Sequence, residues 1–502
     1  MSTRRRTTAA IALVLALAAV AFAALALGGE SEPKDEAARF VPRDALLYLH
    51  LASGREGDQQ ERAAKLARDL PSIAALRDEL IGRVAVTGGD FDFQADVRPW
   101  LGDEAAVALS GTNAGDARSL LVLKVGDEKA ARAFATRVTD GGTAAQLKDG
   151  FVLVGAPDLV AKGVAARTDE ASALAGAPAY RELREGLDAA RLVHGYASAP
   201  GVQALLGGQL SVLAGLPGAR NLGASGFSVS VEEERARFAV RSLAPERVAG
   251  VRPDCARPPA QAAEVKAPAD SLAYLGLARA DCALRAFISD PTSQFGSELR
   301  RLSLRAKKGA PVDLGSEVLP LLRGGSSVTV NNGRDGAPVA TLLSSSVDAT
   351  RARDVMARLQ PGLAALFDPE QVGAAPGFEA VKVDGVDALT AALAPGLEIS
   401  YAVFEAKLAI STALDGIARA RKGEGLKDSA DYKLLLGDRP DRASSVLFLD
   451  LDKLLAIGDQ IGLAEEPVYQ AIREDLRKIG AAGAVTAREG KFTTTELLLR
   501  TP

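Results

Sequence analysis

Short runs of alternating apolar and polar residues recur along the chain after residue 40, separated by longer runs with apolar residues three or four apart. The first pattern puts one face of a strand in a core, and the second does the same for a helix. Asp44 to Ala52 reads as a strand rich in strand formers. Asp58 to Leu70, with Leu66 and Leu70 four apart and charges between, reads as an amphipathic helix. Pro71 is placed to open another, at a first turn where its missing N–H costs nothing. Glu104 to Ser110 and Ser119 to Val125 read as two strands, and Asp127 to Val138 as a helix capped by Asp127. Asp149-Gly150 reads as a hairpin turn before Phe151 to Val154, and Pro157 as the start of the next helix. Ser225 to Val231 and Arg237 to Leu243 read as two closing strands. Strands and helices do not alternate regularly, so the pattern predicts α+β with antiparallel sheets and helices packed on them.

The pattern is then written a second time. Val41-Pro-Arg-Asp-Ala-Leu-Leu-Tyr-Leu-His-Leu-Ala52 is echoed by Ala267-Pro-Ala-Asp-Ser-Leu-Ala-Tyr-Leu-Gly-Leu-Ala278. Pro42, Asp44 and Tyr48 thus correspond to Pro268, Asp270 and Tyr274, and Pro99 to Pro320. The offset grows from 226 at these tyrosines to 252 between Tyr180 and Tyr432, which marks an insertion in the second copy near residues 369–397. The expected domains are a first repeat over 40–245, a Pro-rich linker over 246–266 and a second repeat over 267–500. Gly201 to Leu216 is apolar but broken by glycines, and reads as a core or groove helix.

The front end differs. Arg4-Arg5-Arg6 lies in a basic tail, residues 1–8, and residues 9–29 carry no charge and no proline. That length suits a transmembrane signal anchor. The charge bias predicts a single pass with the N-terminus in and the bulk of the chain extracytoplasmic, on a bacterial cytoplasmic membrane. The rival is a signal peptide cleaved after Ala21-Phe22-Ala23, which would leave a secreted chain; the apolar run continuing to Leu27 favours a retained anchor. The expected fold is therefore α+β, two homologous halves, each mainly antiparallel sheet with helices packed on it, after one N-terminal transmembrane helix.

Composition narrows the function by exclusion. The net charge of -4 gives no case for nucleic acid. There is no phosphate-binding glycine loop, so no nucleotide or other cofactor is expected. The two histidines, His50 and His194, sit in strand-like runs where the other copy has Gly276 and Leu447. They read as structural, with no metal-binding spacing. No catalytic set is recognisable. Asp92, Asp96, Asp103 and Glu104 gather around Trp100 in sequence, which would suit a carboxylate hydrolase site, but Leu321 replaces Trp100 in the second copy, as at a packing position. Cys255 and Cys282 are the only cysteines, and in an exported chain they are expected to pair. The bridge would close a loop of about 26 residues, worth on the order of 3 kcal/mol.

The repeated motif around Val41, Pro42, Asp44, Ala45, Tyr48 and Leu49, with Asp96, Val97, Pro99, Trp100, Leu101 and Gly102, resembles a family of uncharacterised membrane-anchored proteins of actinobacteria and their relatives, classed as a domain of unknown function. The resemblance is expected to span Phe40 to Arg500 and implies placement, with no catalytic residues to carry over. The sequence thus predicts a non-enzymatic, membrane-tethered binding or scaffold module of the cell envelope with an envelope protein as partner. The alternatives are a carrier or sensor of a lipid or other apolar ligand, and an envelope hydrolase with a carboxylate site near Trp100.

Overall fold

The computed structural model describes residues 35–52, 58–70, 91–111, 118–139, 142–187, 191–207, 223–244, 255, 266–289, 294–309, 312–334, 336–364, 377–394, 397–460 and 462–501. The first copy contributes β1 (Leu47–Ala52), β2 (Leu101–Ser110), β3 (Arg118–Val125), β4 (Ala144–Lys148), β5 (Phe151–Gly155), β6 (Val193–Ala197), β7 (Ser225–Val231) and β8 (Arg235–Leu243). Its helices are α1 (Asp58–Asp69), α2 (Glu128–Val138), α3 (Pro157–Thr168), α4 (Pro178–Glu185) and α5 (Ala199–Gly207). The second copy contributes β9 (Ala273–Leu277), β10 (Ser326–Asn332), β11 (Pro338–Ser344), β12 (Glu379–Val383), β13 (Val386–Ala394), β14 (Leu397–Phe404), β15 (Lys407–Ser411), β16 (Ala443–Asp450), β17 (Ala481–Glu489) and β18 (Phe492–Arg500). Its helices are α6 (Ala280–Ser289), α7 (Gln294–Gly309), α8 (Ala349–Ala364), α9 (Leu414–Lys422), α10 (Ala430–Leu436), α11 (Leu451–Gln460) and α12 (Pro467–Ile479).

All the strands join one 18-stranded antiparallel sheet. In the first copy the spatial order is β4-β5-β3-β2-β1-β6-β7-β8. The second copy repeats it as β14-β15-β11-β10-β9-β16-β17-β18. The extra hairpin β12–β13 pairs onto β14 at the outer side. The last strands of the copies, β8 and β18, pair antiparallel from Arg235↔Arg500 to Leu243↔Phe492. The expected architecture of two halves, each with its own sheet, is corrected accordingly: both last strands have free edges of matching length, and antiparallel pairing satisfies their backbone groups.

The second correction concerns the membrane. No helix among the described residues is long and apolar enough to cross one. The longest, α7 and α8, have 16 residues, short of the roughly 20 a span needs. Residues 1–8 and 9–29 lie outside the described residues, as do most of the linker, residues 71–90 and residues 208–222. The single-pass anchor, the extracytoplasmic placement and the membrane as partner thus have nothing in the described fold to rest on and are withdrawn.

Helices cover both faces of the sheet. On one face of the first copy, Tyr48, Ala106, Leu120 and Val122 pack under the 3-10 turn Ala37–Phe40 and under Val160 of α3 and Tyr180 and Leu183 of α4. On the other, Leu121, Leu123, Val152 and Val154 lie under Trp100 and Phe134 of α2. Beside them Leu66 of α1 and the adjoining Leu70 meet Val193 and Val229, joined by Leu476 and Ile479 of α12 from the second copy. Local chemistry explains the element boundaries. Asp127 caps α2 by accepting from Lys129 and Ala130 N–H, a contact worth about 1 kcal/mol. Asp149 (φ 47°) and Gly150 (φ 79°) turn β4 into β5 through a left-handed pair that suits this dipeptide. Cys255 and Cys282 are bonded, with Cα atoms 5.6 Å apart, and so fasten one point of the linker to α6.

Candidate functional site

The first copy buries a cluster of charged and aromatic groups between β1, β2, β6 and the segment that precedes β1. Strand alternation places Tyr48 and His50 on one face of β1. Register sets His50 directly opposite His194 of β6, and Ala52 opposite Glu104 of β2. Asp35, just before the turn Ala37–Phe40, drops onto this face from above. Its Oδ2 lies 2.9 Å from His194 Nε2 and its Oδ1 accepts from Tyr48 Oη at 2.5 Å. The Tyr180 hydroxyl and the Ala38 N–H also donate to Asp35. Glu104 Oε1 accepts from Ala37 N–H at 2.6 Å and lies 3.0 Å from His50 Nε2. The two imidazoles stack with ring centroids 4.5 Å apart. The side chains of Asp35, His50 and His194 are 0–1% exposed.

Burial alone would raise the Asp35 carboxyl. The imidazoles of His194 and His50 and the hydrogen bonds from His194 and Tyr48 overcome it and hold the group well below the usual carboxylate range. Burial, against the pull of Asp35, lowers His194 to about 4, so its ring is neutral at pH 7. Burial and the Asp35 charge push Tyr48 well above its ordinary value. Glu104 Oε2, His50 Nδ1 and His194 Nδ1 are buried without a hydrogen-bond partner. A site closed in this way does not present a nucleophile or a base to a bulk substrate.

None of these charged groups recurs in the second copy. Tyr274 and Tyr432 are there, 0% and 1% exposed. Gly276 takes the place of His50, and Val446 stands opposite it where His194 stands in the first copy; the register thus corrects the counterpart of His194 from Leu447 to Val446. Gly325, next to Ser326, which pairs with Leu277, occupies the position of Glu104. The Tyr274 hydroxyl folds back over Gly276, where a Cβ would meet it at 2.4 Å, so only glycine admits that pose.

The other residues singled out by sequence are architectural in position. Pro42 and Pro268 make equivalent isolated bridges to Ala173 and Gly425. Asp44 is exposed in the turn before β1. Asp270 pairs with Arg419 and accepts from Asn331. Pro99 lies in the turn leading to Trp100. Pro320 sits in the first turn of a 3-10 helix. Gly102 has the Lys124 chain and backbone close above it. Trp100 is 2% exposed. Its ring packs 5.1 Å from Phe134, and its Nε1 donates to Asp96 O at 2.6 Å. Asp96 pairs with Arg137, while Glu104 points through the opposite sheet face to His50. The expected acid cluster beside an open Trp100 therefore does not form, and the hydrolase site is withdrawn. Sequence reading missed Asp35 as a site residue and placed Glu104 with the acids around Trp100, apart from His50 and His194, which it read as structural.

A second feature lies on the opposite face of the second copy. Register lines up Leu447, Leu275, Val328, Leu342 and Ile410 across β16, β9, β10, β11 and β15. Val328 is 37% exposed although its strand is internal to the sheet, and its neighbours in the row are half-buried. In the first copy the matching row is Gly195, Leu49, Val107, Leu121 and Val154; Val107, the counterpart of Val328, is half-buried, and Leu121 and Val154 are 3% and 0% exposed beneath Trp100 and Phe134. Leu302 and Leu304 of α7 are also exposed, at 42% and 66%.

Residues 7–149 match the model of a family described as a protein of unknown function (DUF3352). That match stops far short of the expected Phe40 to Arg500 and says nothing of actinobacterial origin or of an anchor, so those parts of the resemblance are withdrawn. No curated protein matches the chain. Among solved structures, crystal form III of TP0453 is similar at a TM-score of 0.24 and 11% identity, over 42% of this chain and 80% of that one. Crystal form IV gives 0.24 and 10%, over 47% and 78%. At these scores the likeness carries no argument about fold or function.

Proposed function

We propose that the protein is a carrier or sensor of a lipid or other apolar ligand, held against the apolar row of the second copy. The observation that carries this is Val328. An aliphatic side chain at the middle of a helix-covered sheet is ordinarily buried, and leaving such a row wet forgoes about 25 cal/mol per Å² of apolar surface. Val328 continues into the half-buried apolar row of Leu447, Leu275, Leu342 and Ile410, and continuous apolar surface of that kind marks an interaction site where it is large. An acyl chain laid across Leu447, Leu275 and Val328 would complete the burial of a row whose first-copy counterparts are Gly195, Leu49 and Val107. The membrane-tethered scaffold is set aside, because its tether is not among the described elements. The test is displacement of a fluorescent fatty acid from the full chain, with native mass spectrometry for co-purified ligand. The expected result is saturable binding that Val328→Glu abolishes while the circular dichroism spectrum is kept. Binding unaltered by Val328→Glu, or none in the wild type, overturns the proposal.

A further inference from the structure

We infer that Asp35, His50, Glu104 and His194 form a binding site for one divalent transition-metal ion. The ligand atoms of Asp35, His50 and Glu104 lie within 4.8 Å of one another. Two donors of a single ion bound at about 2.1 Å stand roughly 3.4 Å apart in tetrahedral geometry, so small side-chain rotations close the set. His194 lies outside that set, but its Nε2 is 2.9 Å from Asp35 Oδ2, and a shift of its ring toward Glu104 would make it the fourth donor. Two imidazoles with two carboxylates suit zinc, manganese, iron or cobalt and not the all-oxygen shells of calcium or magnesium. Two carboxylates offset a divalent charge, with the Arg184 Nε 3.8 Å from Asp35 Oδ2 as the neighbouring cation.

Three observations favour a ligand over a purely structural network. Glu104 is 2% exposed and its Oε2 has no partner, a cost that an ion would remove. Each Nε2 donates to a carboxylate, His194 to Asp35 and His50 to Glu104, while both Nδ1 atoms are unpartnered, so each ring can shift its proton to Nδ1 and leave Nε2 to ligate. The second copy builds the same strand order with Gly276, Val446 and Gly325 at the corresponding positions, so the scaffold does not need the charges. Asp35 reaches the site from the segment preceding β1, with Ala37 N–H on Glu104. A bound ion therefore ties that segment to three strands of the sheet.

The full chain, stripped with a chelator, is titrated with Zn²⁺ and Co²⁺ and assayed by metal emission and by the visible d–d spectrum of Co²⁺. One ion per chain is expected, with a Co²⁺ spectrum showing nitrogen ligation. Loss of a direct ligand exceeds the 10–100-fold loss typical of an outer-sphere change, so Glu104→Gln is expected to weaken binding more than about 100-fold. The triple variant His50→Gly, Glu104→Gly, His194→Val carries the second copy's residues, and it is expected to fold and to bind no stoichiometric ion. Substoichiometric uptake by the wild type, or equal uptake by the folded triple variant, overturns the inference.

Discussion

Tyr48 and Tyr274 occupy the same place on corresponding strands, both fully buried, yet they serve different cores. Tyr48 donates to Asp35 and stands beside two imidazoles. Tyr274 lies over Gly276, in a cluster with Tyr432, Val446 and Phe448. Their helical partners diverge likewise: the Tyr180 hydroxyl donates to Asp35, while the Tyr432 hydroxyl is buried without a partner. One backbone plan thus supports a polar interior in one copy and an almost wholly apolar one in the other. The opposite faces differ in degree, half-buried at Val107 in the first copy and exposed at its counterpart Val328 in the second. Shared scaffold and unshared chemistry separate what the fold requires from what the chain adds to it.

The strongest way to break this contrast is Asp35→Ala in metal-free protein. It strands the hydroxyls of Tyr48 and Tyr180 and the His194 ring, and removal of one partner from a buried charged network costs about 3–5 kcal/mol. Urea unfolding should show that loss, and an unchanged midpoint would mean the cluster is not formed. A paired test is gentler. Tyr180→Phe removes a donor to a buried carboxylate and should cost about 1–3 kcal/mol. Tyr432→Phe removes a hydroxyl that bonds to nothing and should be neutral or slightly stabilising by the same denaturation assay. Equal effects would erase the distinction. The smallest change concerns the hairpins. Glu405 and Ala406 turn β14 into β15 at φ 47° and 56°, where the first copy uses Asp149-Gly150. A left-handed non-glycine residue costs about 1 kcal/mol, so Ala406→Gly should raise the thermal midpoint, whereas Gly150→Ala should lower it.

The sequence makes some of this legible and hides the rest for identifiable reasons. Alternation exposes strands because the pleat has a period of two, and Asp149-Gly150 signals its turn because few other pairs accept two positive φ values. The joining of β8 to β18 leaves no such trace. It brings Arg237 to Glu496 across 259 positions, and pairing between edges depends on backbone groups common to every residue. The charged cluster is similarly dispersed. Asp35 and His194 are 159 positions apart and His50 and Glu104 are 54 apart, so no local spacing announces them. A subtractive signal exists: within a motif whose Pro, Asp and Tyr recur, His50 alone turns into glycine. Substitution against a retained background marks a position released from a duty. The anchor expectation had a different weakness, since it rested wholly on residues outside the described fold.

The β8–β18 pairing also determines how this protein meets copies of itself. Two repeats that each end in a bare strand are sticky objects, and here each has become the other's permanent neighbour. Among the described residues only β4 and β12 remain paired on a single side, at opposite extremes of the ribbon. β12 carries Glu379 and Lys382, both exposed, on a rim where an incoming strand would have to bury them. The duplication closes the edge that each repeat would otherwise present and leaves β4 and the charged β12 as the strands at the ends.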